Sequence, residues 1–240
     1  MTKKRNNHGR TLVFDSGPVI SLATNSLLWT LEALHHQFNG DFYIPAAVKR
    51  ELVDVPLEIK KFKFEALQVL YLLNKGILKL VDDRSIKQDT FELLNAANHI
   101  FKARGNWLQI VHMAEMQTLA SAIYLNAEAV VVDERTTRIL IEAPMQLHET
   151  LGRKLHTTIY THEENLAKFQ RMTRDLRVIR STELLLVAYE LGLLDKYLPN
   201  IPHPRKQLLE SVLWGVKLNG CAVTQDEIDS IVREEIQGKE

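Results

Sequence analysis

Acidic side chains recur where predicted strands end and predicted helices begin. Asp15 follows the apolar residues 12–14, Asp133 follows the apolar residues 129–132, and Glu115 lies in the first turn of a helix predicted from residue 114. In a parallel β/α sheet, the carboxyl ends of strands and the amino ends of helices share one edge. Neighbouring parallel strands lie about 4.8 Å apart, so acids on adjacent strands could share a bound ion.

Grouped carboxylates repel one another, and a hard divalent cation is the usual way to keep them ionised. Oxygen ligands alone favour Mg²⁺ or Mn²⁺ over zinc. Glu134 adjoins Asp133 and could be a further ligand or an outer partner, and Glu51 follows a short predicted strand and could reach the same edge. Each acid also has an ordinary alternative as a helix cap, a dipole partner, a surface residue or part of a solvated turn.

Composition excludes several other kinds of site. Cys221 is the only cysteine, so an intramolecular disulfide and a multi-thiolate metal site are excluded. The nine histidines show no zinc-ligand spacing, and neither a Gly-x-Ser-x-Gly elbow nor a phosphate-binding glycine loop occurs. The net charge is zero, so any nucleic-acid site must come from local charge.

Predicted strands alternate with predicted helices, which indicates an α/β fold with a mainly parallel sheet. Strands are predicted at residues 12–14, 42–44, 77–81, 129–132 and 176–180. Helices are predicted at residues 18–34 with a break at Asn25, and at residues 46–53, 56–74, 90–104, 114–125, 181–190, 205–218 and 225–236.

The predicted organisation is one domain with additions. Residues 1–10 form a basic tail expected to be disordered, residues 11–199 form the domain, and residues 200–240 form a helical extension packed on it. Residues 144–176 are predicted to be an inserted helical arm, whose basic residues suit either a nucleic-acid contact or a solvated helix face. No apolar stretch of about 20 residues or signal-type segment occurs, so we expect a cytoplasmic protein without membrane contact.

Five segments together resemble the PIN-domain nucleases. Residues 13–20, Val-Phe-Asp-Ser-Gly-Pro-Val-Ile, resemble the opening strand and helix of that family, and residues 44–52, around Pro45 and Glu51, resemble its second motif. Residues 114–123 and 127–135 resemble the third and fourth motifs, and residues 178–194 resemble the closing strand and helix. The resemblance covers most of residues 11–143 and 176–199.

The resemblance implies a three-layer α/β/α sandwich and metal-dependent hydrolysis of phosphodiester bonds, usually in RNA. The implied catalytic acids are Asp15, Glu51, Glu115 and Asp133. The implied ligands of Mg²⁺ or Mn²⁺ are Asp15, Glu115, Asp133 and Glu134, with Ser16 and Thr182 as supporting hydroxyls.

The partner expected from this reading is RNA, single-stranded or structured. The side chains expected to hold its backbone are Lys49, Arg50, Arg135, Arg138, Arg153, Lys154, Arg171 and Arg174. Two alternatives stay open: a non-catalytic RNA-binding or assembly module with the same fold, and the toxin of a toxin–antitoxin pair with an antitoxin or another regulatory protein as partner. The resemblance also implies a homodimer.

Overall fold

A computed structural model describes residues 10–237, so the predicted basic tail lies outside the described residues except for Arg10. The strands are β1 (Thr11–Phe14), β2 (Asp41–Ile44), β3 (Leu78–Leu80), β4 (Phe101–Ala103), β5 (Asn106–Trp107), β6 (Ala129–Val131), β7 (Ile159–Thr161) and β8 (Val178–Ile179). The helices of the first half are α1 (Ser16–Thr24), α2 (Thr30–Phe38), α3 (Ala46–Lys49), a π-helical stretch (Arg50–Asp54), α4 (Val55–Glu58), α5 (Lys63–Asn74), α6 (Asp83–Ala97) and α7 (Met113–Leu125). Those of the second half are α8 (Arg135–Glu142), α9 (Pro144–Leu155), α10 (Glu163–Thr173), α11 (Ser181–Glu190), a 3-10 turn (Asp195–Tyr197), α12 (Pro204–Leu218) and α13 (Gln225–Gln237).

A five-stranded parallel sheet in the order β3-β2-β1-β6-β8 forms the middle layer. Successive strand residues face opposite sides, so Leu12 and Phe14 join one buried apolar cluster and Val13 joins another. Helices α1, α2, α5 and α11–α13 contribute to the first cluster, and α6–α10 contribute to the second. The predicted three-layer α/β/α sandwich is therefore confirmed.

The strand order places a topological switch between β1 and β6. From β1 the chain adds β2 and then β3 on one side, and it later returns to place β6 on the other side of β1. Open parallel sheets bind ligands in the crevice beyond the carboxyl ends of the strands at such a point. Asp15 directly follows β1 and Asp133 lies two residues beyond β6, so both acids stand at this crevice.

The prediction of one helix over residues 90–104 is wrong at its carboxyl end. Helix α6 ends at Ala97 because the Asn98 side chain accepts hydrogen bonds from the backbone N–H groups of Ile110 and Val111 and donates to the carbonyl of Val111. The chain then forms β4, which pairs antiparallel with β5 and β7 in a second, three-stranded sheet. Long-range bonds from one side chain thus override local helix propensity.

Residues 144–176, predicted as a helical arm, contain two helices, α9 and α10, and also a strand, β7, that was not predicted. Strand β7 lies between α9 and α10 and pairs with β4. Leu147, Ile159 and Phe169 are buried in the second apolar cluster, so the segment packs on the sheet's flanking layer. The C-terminal helices α12 and α13 pack in the first cluster through residues such as Leu213 and Ile228. Among residues 10–237, no helix is long and apolar enough to cross a membrane.

Candidate active site

Asp15 is a buried carboxylate at the carboxyl end of β1. Its backbone N–H donates to the carbonyl of Val131 on the neighbouring β6, which fixes the strand exit, and its side chain is only 6% exposed. Burial raises the pKa of Asp15 to about 7, the charges of Glu115 and Glu51 add to the rise, and backbone N–H groups of Ser16 and Gly17 oppose it. Asp15 is therefore an acid that titrates near neutral pH.

Glu115 reaches the same region from the first turn of α7. Its carboxylate accepts the backbone N–H of His112 at 2.5 Å, which caps the helix. Burial raises the pKa of Glu115, the His112 N–H opposes the rise, and the charges of Glu134 and Glu51 strengthen it. Glu51 itself is exposed on the π-helical stretch that follows β2. π-helical turns are frequent at functional sites.

Glu134 enters the group from the start of α8. Its side chain accepts the backbone N–H of Thr137 at 2.5 Å, which caps that helix, and its charge acts on Glu115. Electrostatic interactions thus link four carboxylates from four elements, which belong to Asp15, Glu51, Glu115 and Glu134. Glu51 and Glu115 act on Asp15, and Glu51 and Glu134 act on Glu115. This set, named here the acidic cluster, differs from the predicted catalytic set in containing Glu134 where the sequence suggested Asp133.

The Asp133 carboxylate makes a separate, buried hydrogen-bond network. Its Oδ1 accepts the backbone N–H of Ser181 at 2.7 Å, and its Oδ2 accepts the hydroxyls of Ser181 and Ser21, each at 2.8 Å. The side chain is 2% exposed. Asp133 therefore ties the end of β6 to the first turn of α11 and to α1, with most of its accepting capacity already used.

Ser21, Ser181 and Thr118 are polar residues that the sequence reading missed. Thr118 Oγ1 lies 3.4 Å from Asp15 Oδ1. Thr118 and Ser181 lie within the segments of residues 114–123 and 178–194, but no pattern in the sequence singles out their hydroxyls, because each gains its partner only through the fold. Of the two hydroxyls that the sequence did suggest, Ser16 approaches Asp15 through its backbone N–H, and Thr182 Oγ1 is buried without a hydrogen-bond partner among the described residues.

The chemistry of the acidic cluster suits a hard divalent cation. All donors of the acidic cluster are carboxylate oxygens, which Mg²⁺ and Mn²⁺ prefer. Gly17 lies between Asp15 and Asp133: a Cβ there would be in ordinary contact with both, 3.4 Å from Asp133 Cβ and 3.8 Å from Asp15 Oδ2. Within residues 10–237, however, no three His, Cys, Asp or Glu side chains are already gathered closely enough to hold a metal ion. A cation would thus require side chains of the cluster to turn toward it.

The predicted backbone-binding cations fall into two groups. Lys49, Arg50, Arg135 and Arg138 neighbour Glu51 and Glu134 in sequence; Lys49 is 2.5 Å from Asp54, and Arg138 is 3.5 Å from Glu142. Arg50 and Arg135 are exposed. The remaining cations are exposed on or after α9 and α10, and they are Arg153, Lys154, Arg171 and Arg174. The structure does not bring this second group to the acidic cluster through any described ion pair.

The C-terminal extension is anchored at the Asp133 end of the crevice. The backbone N–H of Ala222 donates to the carbonyl of Asp133, and the buried Arg180 guanidinium donates to the carbonyl of Ala222 and to Glu227. Burial opposes the charge of Arg180, but Glu183 and Glu227 outweigh it and raise the pKa of Arg180. The extension therefore fixes the loop that follows β6.

Comparisons with known proteins give little beyond the fold. No protein-family model and no curated protein sequence matches the chain. The chain is similar to a solved structure of VapBC2 from Rickettsia felis, which is bound to a DNA fragment from the VapBC2 promoter. The two chains are 15% identical, the match covers 71% of this chain and 98% of that chain, and the TM-score is 0.42. A likeness this distant does not transfer a function, a ligand or a partner.

Proposed function

We propose that the protein is a Mg²⁺- or Mn²⁺-dependent endoribonuclease whose site is the acidic cluster at the β1–β6 crevice. The observation that carries the proposal is placement: Asp15 stands at the switch point between β1 and β6. Acids from three further elements lie near it, since Glu51 and Glu115 raise the pKa of Asp15, and Glu134 and Glu51 raise that of Glu115. Structural acids are commonly paired with cations, whereas no described ion pair neutralises Asp15, Glu115 or Glu134.

The residues that would hold the cation are Asp15, Glu51, Glu115 and Glu134. When bound, such an ion polarises a phosphate and lowers the pKa of a water molecule. The chain supplies the rest of the arrangement. The backbone N–H groups of Ser16 and Gly17 orient the carboxylate of Asp15, while the caps at Glu115 and Glu134 hold those acids at helix starts.

Phosphate contacts are available on the two elements that carry the outer acids. Exposed Arg50 precedes Glu51, and exposed Arg135 follows Glu134 in the first turn of α8. Guanidinium groups bind phosphate oxygens in a forked geometry, so these two residues can hold the RNA backbone on either side of the cluster. Such contacts weaken as salt concentration rises.

We assign Asp133 a positioning role. Its three hydrogen bonds hold the middle of α1 and the start of α11 against the end of β6, which supports Asp15 from the neighbouring strand. Replacement by Asn keeps one accepting oxygen for the Ser181 N–H, and the two serine hydroxyls can reorient to accept from the amide. An Asp133→Asn variant should therefore keep more activity than an Asp15→Asn variant.

The test is cleavage of a mixed-sequence RNA with and without Mn²⁺. We expect Asp15→Asn, Glu115→Gln and Glu134→Gln to reduce metal-dependent cleavage by about 100-fold or more, as removal of charge-stabilising groups commonly does. Glu149→Gln, which alters an exposed acid of α9, is the matched control and should cleave like wild type. Cleavage that is unaffected by Asp15→Asn together with Glu134→Gln would overturn the proposal. RNA binding without any cleavage would instead favour the non-catalytic module.

A further inference from the structure

The second sheet presents a row of side chains that the proposed chemistry does not use. Lys102 on β4 is the cross-strand neighbour of both Trp107 on β5 and Tyr160 on β7. Directly opposed residues in antiparallel strands project to the same face. The opposite face carries Phe101 and Ile159, which are buried in the apolar core. The row therefore faces outward, with Trp107 37% and Tyr160 66% exposed.

Trp107 packs against neighbouring side chains and stays partly open to solvent. The rings of His99 and His162 approach it at centroid distances of 5.3 and 5.9 Å, with interplanar angles of 64° and 71°. Lys102 Nζ lies 5.3 Å from the centroid of the same ring. These neighbours restrict the rotation of the indole, while more than a third of its surface stays exposed. The result is a preorganised aromatic side chain beside a cation.

Charge on this sheet is positive at one end. The three strands and the β4–β5 turn carry Lys102 and Arg104 and contain no Asp or Glu. Arg104 donates to the carbonyl of Leu155, so it lies at the end of α9 beside the exposed Arg153 and Lys154. Acidic residues adjoin only the other end, where Glu163 and Glu164 open α10.

The row is connected to the acidic cluster by a short, fixed stretch of chain. Residues 108–112 lead from Trp107 to the start of α7, where His112 caps the helix that bears Glu115. Asn98 holds this stretch through the backbone of Ile110 and Val111. At no more than about 3.6 Å per residue, the Cα atoms of Trp107 and His112 are within about 18 Å of each other. One extended nucleic-acid strand can span that distance.

We propose that this face, the Trp107–Lys102–Tyr160 platform, binds single-stranded RNA by stacking bases on the two rings. Lys102 and Arg104 would contact the phosphates between and beside the stacked bases, with Arg153 and Lys154 continuing the path. Exposed aromatic rings alternating with cations on a small sheet are how proteins commonly hold unpaired nucleotides. The inference builds on the proposed function, because it describes how substrate is positioned near the acidic cluster.

Binding is measured without cleavage by fluorescence anisotropy of a labelled oligouridylate of about 12 nucleotides in the presence of EDTA. We expect Trp107→Ala and Tyr160→Ala each to weaken binding by roughly 5- to 150-fold, and Trp107→Phe to restore most of it. Lys102→Gln should lower the salt dependence of log Kd by about 0.7 for the lost phosphate contact. The matched control is Tyr71→Ala, because Tyr71 is 51% exposed on the distant α5 and should not affect binding.

A second measurement reports the stacking itself. The chain has three tryptophans, so Trp29→Phe with Trp214→Phe leaves Trp107 as the sole indole fluorophore. We expect its emission to be quenched as oligouridylate binds. Binding without quenching, with wild-type affinity in Trp107→Ala, would overturn the platform.

The outcomes separate this inference from the proposed function. Mn²⁺-dependent cleavage with Trp107-independent binding would refute the platform and leave the nuclease intact. Trp107-dependent binding without cleavage would support the platform and refute the nuclease. Loss of self-association in Trp107→Ala, without any RNA effect, would show that the face is a protein interface and would also refute the platform.

Discussion

Replacing Asp15 by Asn should stabilise the metal-free protein at alkaline pH. Burial raises the pKa of Asp15 from 3.8 to about 7, so the folded state binds its proton more tightly than the unfolded chain. The unfolded chain has already lost this proton between about pH 4 and pH 7, so stability falls as pH rises through that window and stays low above it. A difference of about three pKa units corresponds to about 4 kcal/mol.

Part of that gain is lost through weaker hydrogen bonds. Asn keeps one accepting oxygen for the backbone N–H groups of Ser16 and Gly17, so one of these groups loses a charged acceptor, which costs about 1 kcal/mol. We therefore expect Asp15→Asn to be about 2–4 kcal/mol more stable than wild type at about pH 8, and more stable by only about 1 kcal/mol or less at about pH 5. The neutral amide also removes repulsion from Glu115 and Glu51.

The assay is urea unfolding followed by far-ultraviolet circular dichroism, with EDTA present, at about pH 5 and pH 8. Asp175→Asn is the control, because Asp175 is a largely exposed acid that contacts only the neighbouring Arg174 in the described ion pairs. Its effect should be within about 0.5 kcal/mol at both pH values. An Asp15→Asn variant that is less stable than wild type at both pH values would refute the electrostatic account of this site.

Three further outcomes follow from the site. Asp133→Ala should lower the free energy of unfolding by about 2–5 kcal/mol in urea titrations, because three buried donors lose their acceptor. Asp133→Asn should lower it clearly less. An equal loss of stability in the two variants would contradict the hydrogen-bond network. Gly17→Ala should change stability by less than about 1 kcal/mol. Gly17→Leu should strongly reduce Mn²⁺-dependent cleavage while keeping the circular dichroism spectrum, since its longer side chain would press on the Asp15 carboxylate and shift it. Full activity of Gly17→Leu would argue against Asp15 as a ligand. Cys221 is buried, and burial raises the pKa of its thiol to about 11, so the thiol should resist a thiol reagent in wild type. It should react within minutes in Arg180→Ala, because that variant loses the hydrogen bond that anchors the C-terminal extension. An inert thiol in Arg180→Ala would show that the extension does not depend on Arg180.

The position of the crevice could be predicted because it follows from chain order and strand period. The apolar residues before Asp15 and Asp133 form β1 and β6, and these strands are adjacent in the sheet. The break at Asn25, the helix at residues 181–190 and the Thr224–Glu227 capping box are likewise confirmed. All of these depend on interactions within a few residues of the chain.

The sequence placed both Asp133 and Glu134 among the metal ligands, and the different partners of these two adjacent acids could not be predicted. The Asp133 carboxylate accepts hydrogen bonds from Ser21 and Ser181, which lie 112 and 48 residues away along the chain. Only the fold brings these donors to it. Glu134 is then left to cap α8 and act on Glu115. Periodicity gives the end of a strand, but the direction of each side chain beyond that end depends on distant partners.

The second sheet escaped prediction for a related reason. Residues 90–104 are compatible with a helix throughout, and the helix stops because Asn98 bonds to residues 110 and 111. Strand β5 is two residues long, so it has no recognisable alternation. Trp107 consequently carries no signal in the sequence, although the fold sets it in a row with Lys102 and Tyr160.

The most direct test of the central claim is Mn²⁺ binding, measured by electron paramagnetic resonance of free Mn²⁺ during titration of the protein near neutral pH. We expect wild type and Asp133→Asn to bind Mn²⁺ with similar affinity, and Asp15→Asn and Glu134→Gln to bind it at least about 10-fold more weakly, because each loses a charged oxygen ligand. Two results would contradict the claim that the acidic cluster is a metal site. One is absence of Mn²⁺ binding in wild type, and the other is binding by the Asp15→Asn and Glu134→Gln variants with the affinity of wild type.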